Sequence, residues 1–585
     1  MKRYKLIVIS FLMTSMMLYS CLDLNPRDQL AETNMWTSAR EYELFANQFY
    51  SWTRDFSTAV SDNSDKPLHS DYCSDLMVTA NNNPYNNGTF TIPATDANYT
   101  DAYKHIRSTN MLLQNAEKFD TPKDIEQYVG EAKFFRAYSY FDLVQLYGDA
   151  IIVKKPLSLE DKELQIARNN REEVIDFIIE DLEEAVNLLP AHANMGVEEN
   201  GRISREGCWA FLSRVALYEG TWLKFRNNSE NTERSKMLLD KAAKAAKEVM
   251  KSGQFSLFQP AALGVTAQKY MFILEDTKSN PAGIQKSANK EYIFARRHDE
   301  TLRPISSGGI THASLCNVMY ISRKFATMYL CQNGLPIRYS GQDNPLFEGY
   351  QKIDSEFANR DNRMRYTLAK PHDYFWNHDK SRTTWTGDES ERKSAAIQDF
   401  IPKTGTGYHN QKWATERKVK SGYEGYDYPI IRYAEVLLNY AEAVFERDDK
   451  ISNDELNESL NLVRKRVNPD ASMKNLTNEL VNDNGLSMRE EIRRERTIEL
   501  YLEGFRLDDL KRWNTFVREM NEPVLGIKWT GTEYETAWSA CLYPPTGEGY
   551  IIVNNNRKWS AKHELYPLPL DQLRLNPNLK QNPGW

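Results

Sequence analysis

Glu131-Ala132-Lys133-Phe134-Phe135-Arg136-Ala137-Tyr138, running on to Leu146-Tyr147-Gly148-Asp149, decides how this chain folds. Gly130, Phe134, Ala137, Phe141 and Val144 recur at spacings of 4, 3, 4 and 3, the period of one helix face. Gly148 stops the pattern. Small residues on the stripe predict a neighbouring helix packed close against it.

The same texture extends outward. Tyr42, Phe45, Phe49 and Trp52 predict an early helix, and Tyr103, Ile106 and Met111 to Leu113 predict the partner that precedes the quoted one. Val174, Phe177, Ile178, Leu182, Ala185 and Leu189 predict a third hairpin helix, stopped by Pro190. Trp209, Leu212, Ala216, Gly220 and Leu223 predict a fourth. Leu239, Ala242, Ala246 and Val249 predict a fifth, closed by Gly253. Antiparallel helix pairs at a period of about 34–45 residues read as tetratricopeptide-like (TPR-like) units.

From 256 to 428 Gly, Pro, Asn, Ser and Thr rise and the stripes shorten. Helical texture returns over 429–520, through Ile431, Ala434, Leu438, Ala441 and Phe445, then Leu456, Leu460 and Val463, then Ile498, Tyr501, Leu502 and Phe505. Residues 521–585 are irregular and rich in proline. The expected fold is therefore mainly α. A TPR-like helical-hairpin superhelix is built from 21–255 and completed by 429–520, and it carries one large, irregular, loop-rich lobe at 256–428.

Composition narrows the function. The 585 residues are 41% hydrophobic and 12% aromatic, with a mean hydropathy of −0.65, which excludes wholesale disorder and a polytopic membrane protein. Lys and Arg total 74 against 81 Asp and Glu, a net charge of −7. A mildly acidic chain has no global attraction for phosphate backbones, so nucleic acid is not an expected partner. Six cysteines without a Cys-x-x-Cys, and nine scattered histidines, give no zinc pattern. No metal and no cofactor are expected.

The first residues read as an address. Lys2, Arg3 and Lys5 precede an apolar run from Leu6 to Tyr19 of signal-peptide length. Leu18-Tyr19-Ser20-Cys21 resembles a bacterial lipobox, with Tyr19 bulkier than that pattern prefers. Residues 1–20 then form a lipoprotein signal peptide, and the Cys21 thiol carries the lipid. The alternative is an ordinary secretory signal with a chance cysteine.

Landmarks over nearly the whole chain resemble the SusD/RagB family of outer-membrane nutrient-binding lipoproteins. They begin with the lipobox and Leu22-Asp23-Leu24-Asn25-Pro26, and include the helix quoted first and the helix from Arg205 to Tyr218. Tyr329-Leu330-Cys331-Gln332-Asn333-Gly334-Leu335-Pro336 and Arg360-Asp361-Asn362-Arg363 follow in the lobe, with Asn333 where the family often has Asp. Pro429 to Ala443, Ile492 to Leu500, Glu503-Gly504-Phe505-Arg506 and the terminus from Asn576 to Trp585 complete the set. The resemblance implies a protein anchored at the cell surface by lipid on Cys21. It would bind an oligosaccharide, do no bond chemistry, and act as the lid of a SusC-like TonB-dependent outer-membrane transporter. A surface carbohydrate-degrading enzyme and a TPR-type protein scaffold are the alternatives.

Sugars are held by aromatic faces and by planar polar groups that bridge hydroxyls. Two loop-like segments offer both. The stretch 62–88 supplies Asp62, Asn63 and Tyr85, and the stretch 374–413 supplies Trp376, Arg382, Trp385 and Tyr408. Cys316, beside Asn317, precedes the landmark at 329, where family contacts often arise. Each has a bland reading as well: local core for the aromatics, an Asx turn for Asp62 and Asn63, and a buried small hydrophobe for Cys316. The charged run Arg493, Arg494, Glu495, Arg496, Glu499, Glu503, Arg506 is read as an ion-pair network with i,i+3 partners, not as an acid/base pair. Trp209, Trp222 and Trp513 are read as core.

Overall fold

The computed structural model describes residues 35–59, 70–78, 84–226, 231–277, 279–305, 319–369, 405–415, 422–468, 473–537, 541 and 543–585. Its body is a stack of helices. The elements that matter here are α1 (Ala39–Ala46), α2 (Ala97–Ala116), α3 (Glu126–Tyr147), α4 (Arg171–Leu188), α5 (Arg205–Lys224), α6 (Asn231–Ser252), α7 (Tyr433–Asp448), α8 (Leu460–Val467), α9 (Met488–Glu499), α10 (Arg506–Arg512) and α11 (Phe516–Asn521). From α2 to α6 each helix packs on the next, and α7 packs on α6, so the stack continues across the intervening lobe.

Local chemistry sets the helix ends. Asn170 and Glu173 form a capping box at the start of α4. Gly148, at a φ of +77°, ends α3. The small residues mark close approaches as expected. A Cβ on Gly130 would sit 3.0 Å from Leu188 of α4, and one on Gly220 would sit 2.9 Å from Leu239 of α6. One expectation needs correction: α3 is not a single-stripe helix. Phe134, Phe135, Tyr138, Tyr140 and Phe141 are all buried, because α2 and α4 cover two sides and Tyr50 and Phe294 meet Phe135 on another. Trp222 and Trp513 are core residues, and Trp209 is half-buried against the core.

Three further expectations change. Tyr428–Arg432 is a strand, not the start of α7. It pairs antiparallel with Tyr292–Arg296, so a segment in the first quarter of the irregular region is tied to the point where the chain re-enters the body. The stripe through Ile498 and Phe505 is broken after Glu499, with Leu502 at φ +58° and Gly504 at φ +80°, before α10 begins. The early helix ends at Ala46 and continues as a 3-10 turn through Trp52.

The strands used below are β1 (Met77–Val78), β2 (Tyr292–Arg296), β3 (Tyr320–Ile321), β4 (Leu368–Ala369), β5 (His409–Asn410), β6 (Tyr428–Arg432), β7 (Val524–Lys528) and β8 (Tyr550–Asn554). β1, β3, β5 and β4 form one antiparallel sheet in that order, and β7 and β8 form a hairpin beside it. Val78, Tyr320 and Val524, with Val553, make the small core between them. Among the described residues no helix is long and apolar enough to cross a membrane. Cys21 lies outside the described residues.

Candidate functional site

The strands of the sheet β1–β3–β5–β4 adjoin the separate candidate segments in sequence. Val78 pairs with Tyr320, Tyr320 with His409, and His409 with Ala369. Segment 79–83 follows β1 and segment 306–318 precedes β3 at one end of the sheet, whereas segment 370–404 follows β4 and precedes β5 at the opposite end. Cys316, Trp376, Arg382 and Trp385 belong to these segments, and Asp62 and Asn63 to the stretch before β1. All six lie outside the described residues.

The strands are pinned from below. Asp75, just before β1, receives two hydrogen bonds of 2.8 Å from the Arg506 guanidinium, and Lys324 lies 3.0 Å away. Asp71 accepts the backbone N–H groups of Leu502 and Arg506 at 2.5 and 3.2 Å. Burial pushes the Asp71 carboxyl up to about 7, against the pull of these donors. Ser322 donates to the carbonyl of Asp75 at 2.9 Å and thereby ties β3 to the same corner.

Behind β5 the backbone passes very close to other groups. A Cβ on Gly405 would lie 2.2 Å from the Tyr320 ring, one on Gly407 2.6 Å from Ile527, and one on Gly526 2.2 Å from the Thr406 carbonyl. The Ile527 N–H donates to that carbonyl at 2.8 Å. Gly405-Thr406-Gly407 is thus a required feature of the site's base. Sequence reasoning missed it, although a Gly-x-Gly directly before a candidate tyrosine is a visible signal.

Two sequence-derived candidates can be placed directly. Tyr408 is fully buried, and its hydroxyl donates to the Glu356 carboxylate at 2.8 Å. The sequence reading gives this side chain to the ligand; the structure gives it to the core, where it secures β5. Tyr85 is half-buried, with its ring stacked on Phe90 at 4.8 Å and 15°. It belongs to an aromatic cluster with Tyr566 and is not brought onto the sheet. Trp413, another aromatic of the same stretch, is core as well: Phe56 and Phe272 meet it edge-on at 5.0 and 4.8 Å, and its indole N–H donates to the Leu502 carbonyl.

The charged run from Arg493 to Arg506 is structural, and Arg493 and Arg494 pair at i,i+3 with Glu490 and Glu491, but most of its partners come from elsewhere in the chain. Arg432 spans Glu503, Glu499 and Glu291 at 2.7 to 2.9 Å. Arg466 joins Glu291 and Glu499, and Arg363 joins Asp361, Glu495 and Glu499. Arg496 reaches Asp509, and Lys412 reaches Glu503 at 2.7 Å. Burial alone would raise the Glu499 carboxyl; Arg466, Arg432 and Arg363 outweigh it and hold the group far below the ordinary range. Glu499 and Glu503 are buried, each held by several cations.

A separate cleft of about 430 Å³ lies between the turn at 192–202 and β2, lined in part by Phe255, Tyr292, Asn289, Lys286 and Arg297. It holds none of the sequence-derived candidates. Among the described residues no group of His, Cys, Asp and Glu is placed to hold a metal ion.

These elements define a known class. A family model described as "SusD family" matches residues 277–585, and a second, described as "Starch-binding associating with outer membrane", matches residues 22–217. The chain belongs to the SusD family. A SusD-like protein of Formosa agariphila is 24% identical over 554 residues, which is 90% of this chain and 95% of that protein. A second SusD-like protein of the same organism is 28% identical over 127 residues, 21% of this chain and only 23% of that protein. The solved structure of a SusD-like carbohydrate-binding protein from Bacteroides fragilis superposes with a TM-score of 0.70 at 21% identity, covering 93% of this chain and 99% of the other. The surface glycan-binding protein A of Bacteroides fluxus gives 0.59 at 17%, covering 94% and 100%. At these identities the likeness to the solved structures is one of fold, and it is the mainly helical, TPR-like fold expected above.

Proposed function

We propose that this protein is a cell-surface nutrient-binding lipoprotein that captures a glycan oligosaccharide at the open ends of the β1–β3–β5–β4 sheet. In this reading lipid on Cys21 anchors it to the outer membrane. It passes its ligand to a SusC-like TonB-dependent importer, over which it acts as a lid, and it breaks no bonds. The observation that supports this most directly is that segments 79–83, 306–318 and 370–404 each adjoin a strand of one pinned sheet, the first two at one end and the third at the other. A pinned base carrying connecting segments suits recognition of a patterned polar ligand. Membership of the SusD family and the carbohydrate-binding names of its relatives support the ligand class. Trp376, Trp385 and Arg382 are the residues proposed to contact sugar, with Asp62, Asn63 and Cys316 at the margin.

Calorimetry of the purified protein against neutral and acidic oligosaccharides and peptides tests the reading, with recovered ligand checked for cleavage. Binding of one saccharide class without new reducing ends is expected. Release of new reducing ends would replace the proposal with that of an enzyme.

A further inference from the structure

β2 has one paired edge and one open edge. Among the described residues it pairs with β6 alone. Just before it, the Glu291 carbonyl accepts the Tyr433 N–H at 2.8 Å on the β6 side, and the Lys290 carbonyl accepts the Ser256 N–H at 3.2 Å. Successive backbone groups alternate between the two edges, so Ser256 covers the edge away from β6. That cover stops at Lys290. From Tyr292 to Arg296 the far edge has no backbone partner among the described residues.

This edge opens onto the cleft of about 430 Å³ beside the turn at 192–202. Tyr292, Ile293, Phe294 and Ala295 all line it. Side chains of a strand point alternately to opposite faces, so four consecutive residues share one cleft only where it runs along the strand's edge. Tyr292 and Ala295 are half-buried, and Arg297 just beyond them is exposed.

The rest of the lining selects the occupant. Phe255 and Phe294 are buried, the first packed on His192 at 4.8 Å and the second on Phe134 and Phe135 at 6.0 and 6.4 Å, so neither gives an open face to a sugar ring. The charged lining is Arg202, Lys286, Lys290, Arg297, Glu199 and Asp427. Buried Glu131 answers Arg202 at 2.7 Å, and Asp427 is shared by Lys286 and Arg297 at 2.7 and 3.0 Å. Positive charge is therefore in excess. Lys290 is exposed and makes no ion pair among the described residues. Glu199 is turned inward, accepting the Gly196 N–H at 3.1 Å.

We propose that this cleft is a docking site for an extended, acidic segment of a partner protein, which adds to β2 as a third strand. An unpaired edge offers a row of main-chain donors and acceptors that only another extended backbone can match in register. The volume falls in the range of roughly 300–1,000 Å³ that encloses small ligands, so it takes a short stretch of chain and not a folded domain. The excess cation favours Asp or Glu on that stretch. An internal segment fits better than a chain end, because both lining carboxylates are engaged and none remains for a terminal ammonium. The cleft shares no lining residue with the β1–β3–β5–β4 sheet, and the proposal does not rest on the glycan reading.

The test is calorimetry of the purified protein with the end-blocked peptide acetyl-Val-Glu-Val-Glu-Val-amide. Saturable binding is expected, with slowed amide hydrogen exchange over 292–297. Methylating the peptide's amide nitrogens removes its donors and should weaken binding about tenfold. Lys290→Glu, at an exposed position, should weaken it about fivefold, and less at high salt. Trp385→Ala should leave it intact. Absence of saturable binding, equal binding of the methylated peptide, or binding without protection at 292–297 would overturn the proposal. So would binding that requires a free peptide end, or binding lost in Trp385→Ala.

Discussion

Arg432, the last residue of β6, grips Glu503 through two hydrogen bonds of 2.7 and 2.9 Å, and both side chains are buried. The pair joins the strand that closes the lobe to the turn between α9 and α10. Burying such a pair is weak evidence of net stability, but removing one partner strands the other. Arg432→Met would leave Glu503, Glu499 and Glu291 short of counter-charge. A loss of about 3–5 kcal/mol is expected, read as a lower denaturant midpoint. A midpoint within error of wild type would show that the carboxylates re-pair among Arg466, Arg363 and Lys412.

Asp71 gives a pH signature. Its carboxyl titrates near 7 in the folded chain, raised by burial, against about 4 when unfolded. Between those values the folded state holds the proton and the unfolded state does not, so this contribution is complete below about pH 4 and is lost as pH rises through 7. The stability advantage of wild type over Asp71→Asn should therefore shrink across that window, by up to roughly 4 kcal/mol. Denaturation series at several pH values measure it, and a constant difference would place the Asp71 titration elsewhere.

Gly405→Ala would press a methyl into the Tyr320 ring, 2.2 Å from its nearest carbons. The ring is buried and cannot simply swing away. A loss of about 1–3 kcal/mol is expected, together with weaker glycan binding as β3 and β5 separate. Thermal unfolding and calorimetry on the same variant check both effects.

Trp385→Ala and Trp376→Ala should each lower glycan affinity by about tenfold, the value of one lost aromatic platform. Asn289→Ala, in the cleft beside β2, should leave it unchanged. The reverse pattern would move the glycan site to that cleft.

If the proposed lipid on Cys21 is the anchor, Cys21→Ser should shift the protein from the membrane pellet to the soluble fraction of fractionated cells, since acyl chains would then supply its membrane affinity. Retention in the pellet would point to an anchor other than this thiol.

The helical body was legible because a period near 3.6 is written into each segment, as at Phe134, Phe141 and Val144. The strand at Tyr428–Arg432 was not, since Ile430 and Ile431 beside Ala434 read as the lead-in to a helix. Its strand state depends on a partner at Tyr292–Arg296, more than a hundred residues earlier in the chain. The ion pairs of α9 were legible as structural but not in their partners. Arg363, Arg432 and Arg466 come from three other segments, and local spacing cannot show them. Tyr408 was misplaced because an aromatic in loop-like sequence looks the same whether its ring faces a ligand or Glu356. Gly405 and Gly407 could have been found, since two glycines flanking one residue commonly mark a tight backbone passage.

The pins beneath the sheet have an evolutionary and engineering corollary. Asp71, Asp75, Gly405 and Tyr320 hold β1, β3 and β5 from the scaffold side, β4 pairs with β5, and none of these contacts involves the residues between Ala369 and Gly405. Closing a loop costs only about 0.6 kcal/mol more for each doubling of its length. That segment can therefore lengthen, shorten or be exchanged wholesale while the helices beneath keep their register. One inherited chassis could then be re-aimed at new cargo by rewriting a few dozen residues.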